Sequence, residues 1–228
     1  MSSQPAFVRA SFPTSSSGRP RILLADDHTL FTEALTKILE PEFEVVGTVC
    51  NGRLLVQQAP LLCPDVILLD LSMPLMNGSE AGQRLNEILP KAKIIVLTAS
   101  EDAAIAAAAL RTWAWGFLLK KAAGEELTHA IRQVLRGRKY ITACLRRKLH
   151  DEFIRADARV PDKQLTPRQR EVLQLLAEGY SMKETAGILA VAARTVAFHK
   201  YKMMEDLGLK TNADLMRLAI KERLMQPT

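Results

Sequence analysis

The feature that most constrains this chain is an alternation repeated five times between residues 21 and 138. A short, almost wholly apolar run is followed each time by a stretch whose apolar residues recur at helical spacing. The runs are Arg21 to Ala25, Glu44 to Val49, Val66 to Asp70, Ile94 to Leu97 and Phe117 to Leu119. A run that is apolar at nearly every position suits a strand buried on both faces, as in parallel sheets covered by helices on two sides. Between the runs, Leu30, Ala34, Leu35, Ile38 and Leu39 mark a helix that Pro41 stops. Further helices are expected over 54–62, over 80–89 before Pro90, from a Ser100 N-cap to about Arg111, and over 125–135 with Gly137 as C-cap. The pattern predicts an α/β, doubly wound, five-stranded parallel sheet.

The alternation ends near residue 138. Residues 139–164 are charged and irregular, with a helix expected from Ala143 to Ile154, and read as a linker up to Pro161-Asp162. From residue 165 to 228 no strand pattern remains. Thr166-Pro167-x-Gln169 is a helix start with a capping Thr and Pro at the first helical position. Ser181-x-x-Glu184 repeats the capping box, and Thr211-x-x-Asp214 resembles it. Four short helices follow, near 167–178, 182–189, 193–206 and 212–224, making a small all-α domain. Residues 1–20, Ser-rich and without acids, read as a disordered tail.

Charge separates the two parts. Residues 21–140 carry 13 basic and 14 acidic side chains, whereas residues 141–228 carry 16 basic and 11 acidic. The second part is therefore the one suited to a polyanion. No apolar run approaches the ~20 residues of a membrane helix, so no membrane partner is expected. Cys50, Cys63 and Cys144 are odd in number with no C-x-x-C spacing, which suits a reducing compartment. The four histidines show no pairwise metal-ligand spacing.

In a doubly wound sheet, ligands bind beyond the carboxyl ends of the strands. Asp26, Asp27, Asp70, Thr98 and Lys120 all fall at such ends and should converge. Three carboxylates at one sheet edge repel one another, and a hard divalent cation such as Mg²⁺ relieves this. Lys120 and Thr98 could pair with phosphoryl oxygens, making one carboxylate a plausible nucleophile for phosphoryl transfer. Each residue alone has a bland reading as a turn former or cap. Together, D-D, D-L-S-M-P, T-A-S and G-F-L-L-K after successive strands form a specific pattern.

Residues 21–138 thus resemble the flavodoxin-like receiver domain of bacterial two-component response regulators. The resemblance implies that Asp70 is phosphorylated by a sensor histidine kinase. It implies that Asp27, Asp70 and the Ser72 carbonyl hold Mg²⁺, with Asp26 acting mostly through water. Thr98 and Lys120 would bind the phosphoryl group, and Phe117 would be the aromatic switch. Lys121 follows Lys120, and spacing from Phe117 favours Lys120. Trp113 and Trp115 stand where small residues are general, on a face many receivers use to dimerise. At least one of them could be exposed as an interface, or both could be core.

Residues 164–222 resemble the LuxR-type helix-turn-helix. Val172, Leu175, Leu176, Ala186, Leu189, Val196, Met203 and Leu207 have the spacing to pack its helices together. The helix from Ala193 carries Arg194, Thr195, Lys200 and Lys202 toward phosphates or bases, and Lys210 lies just beyond it. The resemblance places Ala197, Phe198 and Tyr201 where bases are read. Ala190 replaces a frequent turn Gly. The whole implies a bacterial, cytoplasmic NarL/FixJ-type regulator of transcription. It would bind double-stranded DNA, as a homodimer when phosphorylated or DNA-bound, and would be no enzyme beyond self-phosphorylation and self-dephosphorylation. An alternative is a phosphorylation-independent regulator with a structural receiver. An aspartyl-phosphate phosphatase is disfavoured, because Ser72 stands where its second Asp would be.

Overall fold

The computed structural model describes residues 18–156, 165–222 and 224, with residues 150–156 as helical backbone alone. The expected tail falls outside this up to residue 17, and so does the expected linker from 157 to 164. The N-terminal unit runs β1 (Arg21–Ala25), α1 (Thr29–Leu39), β2 (Glu44–Val49), α2 (Gly52–Leu62), β3 (Val66–Asp70), α3 (Gly78–Ile88), β4 (Lys93–Thr98), α4 (Ala103–Thr112), β5 (Ala114–Leu119), a 3₁₀ turn (Lys120–Ala122), α5 (Ala123–Leu135), β6 (Tyr140–Ile141) and α6 (Ala143–Ala156). The sheet order is β2-β1-β3-β4-β5-β6, and every pairing is parallel.

Strand periodicity divides the apolar residues between two cores. Leu23, Ile67, Leu69, Val96 and Phe117 point to the side covered by α2, α3, α4 and α6. Ile22, Leu24, Leu68, Ile95 and Leu97 point to the side covered by α1 and α5. Burial on both faces explains why the runs show no polar alternation.

The expectation of five strands is corrected to six. Tyr140 and Ile141 pair with Gly116 and Phe117, and the Thr142 N–H donates to the Phe117 carbonyl at 3.0 Å. Two residues are too few to produce a periodic signal. The following helix, read in sequence as part of a linker, packs on α4 through buried Leu145 and Leu149. Arg146, Arg147, Lys148, Asp151, Glu152 and Arg155 make the stretch read as charged, which hid the attachment.

Helix starts also move. Asn51 and Asn77 cap α2 and α3, accepting from Leu54 N and Glu80 N at 2.9 Å each, so both helices begin earlier than apolar spacing suggested. Asp102, not Ser100, caps α4, accepting from Ala104 N at 2.7 Å; Ser100 Oγ instead accepts from Asp102 N. Trp113 is a correction as well. It is 5% exposed and fills the α3–α4 side of the core, where Gly82 leaves room for its ring. Trp115 is half-buried, with Lys93 Nζ 4.5 Å from its ring centroid.

The C-terminal unit is α7 (Pro167–Ala177), α8 (Met182–Ile188), α9 (Ala193–Leu207) and α10 (Asn212–Lys221). All three capping boxes form, at Thr166/Gln169, Ser181/Glu184 and Thr211/Asp214. Val196 and Met203 of α9 are fully buried, in two adjoining clusters with residues of α7, α8 and α10. The α8–α9 turn places Ala190 at φ +52°, in the left-handed region that a Cβ disfavours. Ala190 is exposed, so a glycine meets no packing loss there. We expect Ala190→Gly to raise the unfolding free energy of this unit by about 0.5–1 kcal/mol, measured by urea denaturation; an equal loss would contradict this backbone geometry.

Candidate functional site

The sheet order sets the first site. Crossovers leave β1 and β3 in opposite directions, opening a crevice at their carboxyl ends. Asp26 and Asp27 follow β1, Asp70 ends β3, Thr98 ends β4 and Lys120 follows β5. Lys120 Nζ lies 2.9 Å from Asp70 Oδ2 and 2.8 Å from Asp26 Oδ2. Asp70 and Thr98 are each 2% exposed, while Asp27 is open to solvent. Burial pushes the Asp70 carboxyl above the usual range, with Lys120 opposing and Asp26 reinforcing. Burial pulls the Lys120 ammonium down, but hydrogen bonds to Asp26 and Asp70 outweigh this and hold it above lysine's ordinary value. Lys121 faces elsewhere: it pairs with Glu101, which also binds Lys148 of α6. Phe117 is fully buried, on the inward side, and Thr98 Oγ1 accepts from Ser100 N at 3.1 Å.

Sequence reasoning passed over His28. Its Nδ1 is 3.0 Å from an oxygen of both Asp26 and Asp27, and ligand atoms of Asp26, Asp27, His28 and Asp70 all lie within 4.8 Å of one another. The available signal was its place directly after two aspartates, not a spacing to another histidine. Gly78 was passed over too. It begins α3 against the Asp70 backbone, and a Cβ there would overlap the Asp70 carbonyl oxygen.

The second site is the outer face of α9. Arg194, Phe198, Tyr201 and Lys202 are exposed there, and Phe198 is 62% and Tyr201 59% exposed. Thr195, Ala197 and Lys200 are half-buried, and Lys210 is exposed in the turn before α10. Lys200 Nζ donates to the neutral Asn212 Oδ1 at 2.9 Å, whereas Lys202 Nζ pairs with Asp206 at 2.9 Å. Exposed aromatics amid cations on a helix held by an apolar core match a surface for a grooved polyanion.

Comparison with known proteins finds a family over each of the two regions. Residues 22–132 match the response regulator receiver domain, and residues 163–219 match the bacterial regulatory proteins of the luxR family. The oxygen regulatory protein NreC of Staphylococcus aureus is 36% identical over 215 residues, covering 90% of this chain and 99% of NreC. This chain is a response regulator of the LuxR-type DNA-binding class. Among solved structures it is similar to the Salmonella typhimurium RcsB response regulator, with a TM-score of 0.60 and 28% identity. That match covers 88% of this chain and 96% of RcsB. It is also similar to RcsB from Salmonella enterica serovar Typhimurium bound to promoter P1flhDC with the phosphomimetic BeF3⁻ (TM-score 0.56, 30% identity, 88% and 97% covered). As a response regulator, the chain joins a phosphorylation-controlled receiver to a DNA-binding domain that regulates transcription. Among the described residues, no helix is long and apolar enough to cross a membrane.

Proposed function

We propose that Asp70 accepts the phosphoryl group from a sensor histidine kinase, and that this acceptance governs how the α9 face engages promoter DNA. The observation that carries the reading is Lys120 Nζ set between Asp70 and Asp26 inside a buried carboxylate cluster. An Asp70 oxygen attacks phosphorus, the P–N bond of the phosphohistidine breaks, and its electron pair returns to the imidazole. The Lys120 ammonium neutralises charge gathering on the phosphoryl oxygens, and the Thr98 hydroxyl donates to one of them. Three carboxylates against one ammonium leave an excess of two negative charges, and the donors are hard oxygens; this set fits Mg²⁺. Asp27, Asp70 and the Ser72 carbonyl would hold the ion and Asp26 would act through water. The bound ion would screen charge between nucleophile and phosphoryl group. Phe117, already inside, would be kept there by the phosphorylated state. The chain would catalyse no reaction on other molecules, only its own phosphorylation and dephosphorylation. A cytoplasmic location suits a protein that must meet both a kinase domain and the chromosome.

Acetyl phosphate with Mg²⁺ should place one phosphoryl group on the peptide containing Asp70, and chelation should prevent it. Peptide mass mapping decides this, and label on any other peptide overturns the assignment.

A two-fold dimer of the C-terminal domains would read half-sites about one helical turn apart. With Phe198 and Tyr201 outward, base reading would be unusually apolar, through thymine methyl groups. Selection from a random DNA pool should show Phe198→Ala relaxing the motif at T-containing positions. An unchanged motif from a less stable mutant would return Phe198 to a packing role.

A further inference from the structure

A dense set of buried polar contacts joins the two domains at the loop that follows Asp70. Gln174 of α7 is 1% exposed and has all its polar atoms engaged by this contact. Its Oε1 accepts from Asn77 N at 3.0 Å and Asn77 Nδ2 at 3.1 Å. Its Nε2 donates to the Met73 carbonyl at 3.1 Å and to Glu178 Oε1 at 2.8 Å. The Leu75 N–H donates to both oxygens of Glu178, at 3.1 and 3.2 Å. Leu75 has φ +64°, inside a tight turn closed by Met76 N and the Pro74 carbonyl, and its side chain packs on the α7–α8–α9 cluster. A leucine in that region stores strain, which the partner helix holds in place. Arg53 of α2 adds a hydrogen bond to the Ile188 carbonyl at 2.7 Å.

Beside this contact, Glu80 of α3 and Glu171 of α7 face each other across the domain boundary, each 4% exposed. One nitrogen, Arg84 Nη2, serves both: it lies 2.7 Å from Glu80 Oε1 and also binds Glu171 Oε1. Arg168 holds the other Glu171 oxygen at 2.6 Å. Glu80 Oε2 is buried and has no hydrogen-bond partner. A bare carboxylate oxygen in that position is costly, and a carboxylic acid there can donate to its neighbour.

We propose that α7 and the β3–α3 loop form a proton-gated clasp between the two domains, closed when Glu80 and Glu171 share one proton and loosened when that proton leaves. The charged groups acting on Glu80 are Arg84 on its own helix and Glu171 from α7. Arg168 pairs with Glu171, and elsewhere in the same contact Glu178 binds the Leu75 N–H and Arg53 the Ile188 carbonyl. Burial first, and then the charge of Glu171, push Glu80 up to about 7 against the pull of Arg84. Glu171, with Arg168 and Arg84 outweighing its burial, stays below the usual range and is the acceptor. Glu178 is raised by burial, so its protonation works in the same direction. Once the domains part, Glu80 returns to water and to its ordinary value of 4.5. The closed form therefore binds more protons between these two values. Closing strengthens as pH falls below about 7 and is weakest, and level, above it. Phe198 and Tyr201 stay exposed while the clasp is closed, so it acts on the loop after Asp70 rather than by covering the DNA-reading face.

The test is hydrogen exchange at the Leu75 and Asn77 amides of the full chain. No phosphodonor is present, so the outcome stands apart from the Asp70 assignment. Wild type and Glu80→Gln are compared at each pH, which cancels the intrinsic exchange rate. Wild-type protection should rise roughly eightfold from about pH 7.5 to about 6. Glu80→Gln, neutral and a donor at every pH, should be protected and keep only the shallow slope that Glu178 contributes. Glu171→Gln, which removes the facing charge but not the burial of Glu80, should show a smaller slope than wild type. Gln174→Ala should lose protection throughout. A flat wild-type profile overturns the clasp, as does a Glu80→Gln chain that keeps the wild-type slope. Should Glu80→Gln fail to fold by circular dichroism, wild type and Glu171→Gln decide by the same readings.

Discussion

Asp70→Ala is expected to abolish phosphoryl uptake while leaving the fold intact, and Gly78→Ala to abolish it by a different route. Removing the Asp70 carboxylate deletes the nucleophile, and it also relieves a buried like-charge contact with Asp26, so thermal stability should hold or rise. Gly78 opens α3 with its N–H bonded to the Leu71 carbonyl at 2.9 Å, and a methyl there meets Asp70 backbone rather than a flexible side chain. Relief requires α3 or the end of β3 to move, at a cost of about 3 kcal/mol, the upper part of the overpacking range. That movement carries Asp70 away from Lys120. Paired measurements of acetyl-phosphate labelling and thermal unfolding separate the two variants. A Gly78→Ala chain of wild-type stability and labelling would contradict the tight helix–strand contact.

DNA affinity is expected to fall about a thousandfold between about 50 and 200 mM salt, the loss for six phosphate contacts shared by a dimer. The cations do not contribute equally. Lys200 has a neutral amide rather than a carboxylate as its partner, and Arg194 is exposed at the start of α9. Lys202 is already neutralised by Asp206, with Glu205 nearby. Arg194→Ala and Lys200→Ala should each flatten the log-log salt slope by about one unit per protomer. Lys202→Ala should change it less, because breaking its ion pair offsets the gain from a phosphate. Fluorescence anisotropy titrations over a salt series measure these slopes. If Arg194→Ala and Lys200→Ala both leave affinity and slope unchanged, the outer face of α9 is not the docking face.

Much of this was legible in the chain because the signals are local and periodic. Strands apolar at nearly every position announce a sheet covered on both faces, and the rule that ligands gather at strand ends brought Asp26, Asp70, Thr98 and Lys120 together across 94 residues of sequence. Three capping boxes located three of the four C-terminal helices, since a cap is written in residues three apart. The sixth strand was not legible, because two residues carry no period. The sequence left Trp113 open between core and surface, because the space that buries it is made by Gly82 on another helix.

The sequence by itself determined the two-domain class, the gathering of acidic residues, Thr98 and Lys120 at the strand ends, and a basic C-terminal helix, since these depend on residue type, periodicity and position at the ends of elements. Only the tertiary structure decided that His28 joins the acidic cluster and that α7 closes on the loop after β3. These are contacts between residues up to 103 positions apart, as between Leu75 and Glu178. Their partners are chosen by packing, in the buried space left once the helices have covered the sheet. No local pattern encodes that Glu80 and Glu171 will share one guanidinium. Each reads in sequence as an ordinary solvated helix residue, and burial against each other is what gives them a function.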